Sequence, residues 1–171
     1  MKKTLLTSVI VALLALCATH VKAQENKFSL GGGAAYATGI KNVGFFAKGM
    51  YHFTPRWEAA ASFTYFLPKE QENITTNFSA LDANVHYVFY NDEYKLASYL
   101  LSGIDVLFGS TDVEIMGKNF SDSGTVLGFN MGAGLRYQLS ERLALNPELK
   151  YVVSTEDNNY LSLSIGLLFS F

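Results

Sequence analysis

From residue 27 to the end of the chain, apolar and polar positions alternate with a period of two, and turn-forming residues separate the alternating runs. Eight runs are legible, at about 27–38, 43–54, 57–67, 76–90, 94–108, 124–139, 142–154 and 160–171. No stretch carries the 3.6-residue period of an amphipathic helix, and no linker or low-complexity tract divides the chain. The pattern predicts an all-β fold, an eight-stranded antiparallel barrel.

The sixth run is the clearest. Leu127, Phe129, Met131, Ala133, Leu135, Tyr137 and Leu139 share one face, and Gly128, Asn130, Gly132, Gly134, Arg136 and Gln138 the other. The seventh sets Leu143, Leu145, Pro147, Leu149, Tyr151 and Val153 against Ala144, Asn146, Glu148, Lys150 and Val152. The third and eighth repeat the scheme, the eighth with Leu161 to Phe171 opposed to Ser162, Ser164, Gly166, Leu168 and Ser170. In the fifth, Asp105 assigns Leu96, Leu100, Ile104 and Val106 to the apolar face, which leaves Leu101 and Leu107 on the polar one.

Alternation alone does not say which face points inward. The outer face of a soluble barrel is well solvated, usually by many Lys and Glu. Here the polar face is mostly Gly, Ala, Ser and Asn with isolated charges, which suits a narrow, filled interior. The apolar face stays bulky over five or six successive positions, enough for tilted strands of about 9–11 residues to cross hydrocarbon. The apolar face is therefore expected outside, against lipid.

Energy then assigns the charges. Lys or Arg on the lipid face near the midplane costs roughly 2–4 kcal/mol. Lys48, Arg136 and Lys150 lie in strand bodies on the small-residue face and are expected to point into the barrel, with Glu58, Asp82 and Glu148 as counter-charges and His86 beside them. Arg136 and Glu148 flank the turn Ser140-Glu141-Arg142, so they should be opposite or diagonal across that hairpin. An interior network of ion pairs and hydrogen bonds is expected, not a water-filled pore.

The N-terminus changes the picture of what matures. Met1-Lys2-Lys3, the apolar run Leu5–Ala18 and Val21-Lys22-Ala23 have the form of a secretory signal, residues 1–23, cleaved before Gln24. The apolar run is shorter than the roughly 20 residues of a spanning helix. Cys17 follows the bulky Leu16, a poor lipoprotein processing site, so it is expected to leave with the signal and the mature domain, 24–171, to lack cysteine. Lys2, Lys3 and Lys22 leave too, so ten basic side chains face fifteen acidic ones, a balance of −5 that offers no basic surface for nucleic acid.

Aromatics gather where interfacial girdles belong. Tyr51, Phe53, Trp57, Tyr90, Tyr94 and Tyr137 flank three short turns, at Thr54-Pro55-Arg56, Asn91-Asp92-Glu93 and Ser140-Glu141-Arg142, expected on the periplasmic side with Phe169 and Phe171. Tyr36, Phe45, Tyr65, Phe78, Phe108, Phe129 and Tyr160 are expected in the outer belt. The outer connections are a tight loop near Gly39–Asn42, loops near Pro68–Thr75 and Thr155–Asn159, and a long one near Gly109–Ser123. In that long loop Thr111-Asp112-Val113-Glu114-Ile115 alternates and is able to prolong the fifth strand.

On this strand count, the alternation and the terminal Leu-Leu-Phe-Ser-Phe at 167–171, the chain resembles the OmpX/Ail and OmpA-transmembrane-domain type of small barrel of the Gram-negative outer membrane. The resemblance covers residues 24–171. It implies residence in the outer membrane as a monomer, contact with outer-membrane lipid and lipopolysaccharide, and recognition of Phe169 and Phe171 by the barrel-assembly machinery. It also implies a structural or adhesin-like role, with a host or matrix ligand met through the loops.

The search for chemistry yields no catalytic, cofactor or metal residues. A barrel-type lipid A deacylase would resemble His-x-Ser, but His52-Phe53-Thr54 sits at a turn and His86-Tyr87-Val88 lacks the hydroxyl. Gly31-Gly32-Gly33 has no following helix and is no phosphate loop. Binding belongs to the loops, with Asp112, Glu114 and Lys118 as the candidate surface residues. A lipid-modifying barrel enzyme and a narrow-channel porin are the alternatives.

Overall fold

The computed structural model describes residues 28–71, 74–92, 95–115, 118–156 and 159–171, with the backbone alone at 70–71, 113–115 and 118–120. The expected signal segment, Cys17 and the Ala23 cleavage site lie outside these residues.

The period-2 runs form strands β1 (Phe28–Ala37), β2 (Asn42–His52), β3 (Trp57–Phe66), β5 (Ile74–Asn91), β6 (Leu96–Ile115), β7 (Lys118–Gln138), β8 (Leu143–Ser154) and β9 (Tyr160–Ser170). A three-residue β4 (Lys69–Gln71) pairs with the outer end of β5. Each wall strand pairs antiparallel with its neighbours, β1 meets β9, and β3 pairs with β5, so the eight wall strands close on themselves. Closure removes the free sheet edge that hydrocarbon cannot satisfy.

The faces divide as the alternation predicts. Along β9, Leu163 is 57% exposed and Ile165 52%, whereas Ser162 and Ser164 are each 8%. Leu101 points inward and Leu100 and Ile104 outward, as Asp105 required. The inside holds most of the buried polar groups and three small apolar clusters. Met50, Ala60 and Leu168, with Val88, Ala97, Tyr99 and Leu101, lie toward the short turns. Ala37, Phe66, Ala80, Val152 and Tyr160 close the long-loop end, packed by Ile40, Phe78 and Leu107.

The short turns are held by side chains at their first residues. Thr54 Oγ accepts from the backbone N–H of Trp57 at 3.0 Å, and Asp92 Oδ1 from those of Lys95 and Leu96 at 2.7 and 2.8 Å. At the other end, Lys41 takes a positive φ of 48° in the tight β1–β2 turn.

Three expectations are corrected. The segment 109–123 is not a loop but a continuous hairpin, paired from Gly109↔Gly124 out to Ile115↔Lys118. Tyr160 is not in the outer belt: it sits one step out of phase with Leu161, is 8% exposed, and donates to Asp105 at 3.1 Å. Phe78 likewise packs inward beneath the long-loop end.

Candidate functional site

The bore is built from side chains that register brings to one level. Glu58 on β3 lies opposite His52 of β2 and opposite His86 of β5. Arg136 reaches it from β7 across the bore, Nη1 donating to Oε1 at 3.0 Å and Nη2 to Oε2 at 2.6 Å. Such a fork is the strong form of a carboxylate ion pair. His52 Nδ1 lies 2.9 Å from Oε1, while His86 Nδ1 stands 3.6 Å from Oε2, too far for a hydrogen bond. His86 stacks on Tyr99 at 4.6 Å between centroids and 10° between planes. Below, Ser29 Oγ is 3.1 Å from His52 Nε2 and 2.9 Å from Ser170 Oγ.

The next level is centred on Glu148. Lys48 Nζ is 2.5 Å from one oxygen, and the Tyr99 hydroxyl donates to the other at 2.5 Å. Asn146 donates to the Tyr99 oxygen at 2.6 Å and to the Leu135 carbonyl at 2.7 Å. The phenol crosses the bore because β7 has glycine beneath it: a Cβ on Gly134 would stand 2.3 Å from the Tyr99 ring and hydroxyl.

Toward the long loops, Asp82 accepts from Lys150 at 2.5 Å, Asn130 at 2.8 Å and Ser62 at 3.1 Å. Asp105 lies directly opposite Asp82 across β5–β6, with the Tyr160 hydroxyl on it. All seven charged or titratable residues singled out from sequence, Lys48, Glu58, Asp82, His86, Arg136, Glu148 and Lys150, therefore meet inside the barrel. The pairing across the hairpin differs from the expectation. Gly134 opposes Glu148, which leaves Arg136 diagonal to it, and the Arg136 guanidinium meets Glu58 instead.

Other participants were not singled out: Ser29, His52, Tyr99, Asp105, Asn146 and Tyr160. Their phase already placed most of them inward; what sequence lacked was the stagger that decides who meets whom across the bore. The interior is filled. A cavity between Lys48, Ser62, Asp82, Glu148 and Lys150 measures about 10 Å³, the lower limit for one water. Among the described residues no group of three or more His, Cys, Asp or Glu side chains is arranged to hold a metal ion.

At the long-loop end, β4 and the outer parts of β5, β6 and β7 continue as a sheet beyond the closed wall. The last described β7–β8 pair is Gly128↔Ser154, and Thr155 then caps the Leu127 carbonyl. Among the described residues no strand pairs with the far side of β7 from Lys118 to Val126. Asp112 stands on this sheet and accepts from the Ser121 hydroxyl. Glu114 and Lys118 occupy its tip, paired with Asn119 and Ile115, and their side chains lie outside the described residues. At the opposite end Phe169 and Phe171 pack edge-on at 5.0 Å, both exposed, and the Phe171 N–H bonds the Phe28 carbonyl at 3.0 Å.

Comparison with known proteins agrees with this architecture. The family described as outer membrane protein beta-barrel domain matches residues 9–171. No curated protein sequence gives a match. Among solved structures, Ail, the attachment invasion locus protein of Yersinia pestis, is 23% identical, with 86% of this chain and 100% of that one covered and a TM-score of 0.61. Ail is also known in complex with the heparin analogue sucrose octasulfate. The N-terminal β-barrel domain of Pseudomonas aeruginosa OprF is 18% identical over 85% of this chain and 98% of its own, TM-score 0.61. Neisserial surface protein A is 19% identical over 85% and 97%, TM-score 0.60.

Proposed function

The chain belongs to the family of outer-membrane β-barrel domain proteins, and on that premise we propose that it is a monomeric surface-interaction barrel, its filled bore a scaffold and its projecting β4–β7 sheet the contact element. The observation that carries this reading is the outer edge of β7, unpaired among the described residues, a row of backbone donors and acceptors beyond the closed wall. Such an edge takes up an extended segment of another protein by strand addition. Ail, a structural neighbour whose name denotes attachment and invasion, lends the reading support. Phe169 and Phe171, exposed at the last strand, suit recognition by the barrel-assembly machinery after a signal ending near Ala23 has been removed.

Register supplies a clean test. Removing 112–121 and joining Thr111 to Asp122 through an Asn-Gly turn keeps every remaining pair in place, because those two residues are already partners. Cells displaying the shortened barrel should lose binding to matrix-coated surfaces while the protein keeps heat-modifiable gel migration. Undiminished binding refutes the adhesin-like role.

One observation favours the lipid-modifying alternative. Ser29 Oγ, His52 Nε2, His52 Nδ1 and Glu58 Oε1 follow one another at 3.1 and 2.9 Å, the order of nucleophile, base and orienting acid. Against it, Ser29 is buried, its hydroxyl also meets Ser170, and Glu58 is forked by Arg136. A fluorophosphonate probe labels Ser29 if this is a hydrolase; no labelling leaves it a polar rim.

A further inference from the structure

Four rows of outward-facing residues cross the sheet where the wall passes into the projecting hairpin. The lowest is apolar: Phe63, Leu81, Val106 and Leu127, successive cross-strand partners. Two residues further out comes a mixed row, Tyr65, Ser79, Phe108 and Thr125. Next is a neutral polar row, Asn77, Ser110 and Ser123, and above it Thr75, Asp112 and Ser121. The second and third rows line a groove of about 290 Å³, at the lower end of small-molecule sites, which begin near 300 Å³. Phe78, Gly109 and Gly124, the residues between these two rows, complete its lining.

The groove has a definite chemistry. Two rings at its lower lip, Tyr65 and Phe108, offer flat apolar faces, and one amide and five hydroxyls, that of Tyr65 included, offer neutral donors and acceptors. None of these six polar side chains is bonded to another described side chain or backbone group. Among the described residues no cation lines the groove, and the row above carries the Asp112 carboxylate, which disfavours a phosphate or sulfate. Neutral sugar rings fit such a lining, with C–H faces on the aromatics and hydroxyls on the Ser, Thr and Asn groups. The order of rows adds where the sugar comes from: apolar wall, aromatic boundary and polar groove follow the order of acyl chain, interface and headgroup.

We propose that this groove holds the neutral sugar headgroup of an outer-leaflet glycolipid, its acyl chains lying down the Phe63–Leu127 row. The inference rests on the outer-membrane reading above and extends it to a defined ligand class.

The test uses the full mature barrel in phosphatidylcholine nanodiscs with rising fractions of monoglucosyl diacylglycerol. Backbone NMR shifts should change saturably and be confined to residues 75–79, 108–112 and 121–125. Phosphatidylglycerol of the same chains should leave them unmoved. Ser110→Leu with Ser123→Leu fills the groove from its solvent side and should weaken binding about tenfold, as should Phe108→Ala, the scale of a few lost hydrogen bonds or one ring contact. Heat-modifiable migration reports that each variant is folded, and its absence in the parent would fail the barrel reading instead. Equal binding by the filled variants, or equal response to phosphatidylglycerol, overturns the proposal. So does free maltose or sucrose octasulfate binding as well as the glycolipid, which would make the ligand a soluble glycan.

Discussion

Glu58 meets three basic side chains, so it is the residue whose loss should cost most. Glu58→Gln leaves the Arg136 guanidinium without its counter-charge in a nearly dry bore, a change worth about 3–5 kcal/mol. The expected outcome is a clearly lower urea midpoint in unfolding followed by gel migration; Glu58→Leu with Arg136→Met, removing both charges, should recover most of it. Gly134→Ala is a subtler probe. It drives a methyl group into the Tyr99 ring and should destabilise by about 1–3 kcal/mol in the same assay, although alanine is ordinarily harmless in a strand. At this scale the sequence revealed the sign and the side of each interior charge, because a period of two admits no ambiguity once one face is apolar. It did not reveal partners. Arg136 and Glu58 are 78 residues apart, and only the barrel's stagger brings them together. The aromatic character of Tyr160 suggests the outer belt, but its phase, shared with Ser162, points it inward.

The wall strands and their short turns were readable because each carries local chemistry, such as Thr54 and Asp92 accepting from the amides that follow them. The hairpin of β6 and β7 was readable only in part: the alternation of Thr111–Ile115 allowed β6 to continue, as it does, but not its pairing with 118–124. Gly109, Ser110, Ser123 and Gly124 are turn-forming types, yet they face one another in register, and pairing with an already extended neighbour outweighs their weak strand preference. The edge of β7 makes a distinct prediction. Between Asn119 and Val126 every second amide points away from β6, so residue-resolved hydrogen exchange should show fast and slow amides alternating there. On β6 between Ser110 and Val113, flanked on both sides, all amides should be slow. Uniform protection along β7 would mean that another strand covers the edge.

As a whole the molecule is a sealed cylinder with a one-sided extension. Because the bore is filled from Glu58 to Tyr160, planar bilayers containing the purified protein should show no stepwise current, and a porin-like conductance would contradict the packing. The three interior ion pairs that Lys and Arg make among the described residues have a further consequence. Lys48 on β2 meets Glu148 on β8, Glu58 on β3 meets Arg136 on β7, and Asp82 on β5 meets Lys150 on β8; no pair joins neighbouring strands. Each pair therefore exists only once the sheet has curled. A flat sheet threaded into hydrocarbon strand by strand would bring Lys48, Arg136 and Lys150 into lipid without these partners, at about 2–4 kcal/mol apiece near the midplane. Curling before or during insertion spares this chain that cost, so the charges that hold the finished barrel also bias the order in which it is built.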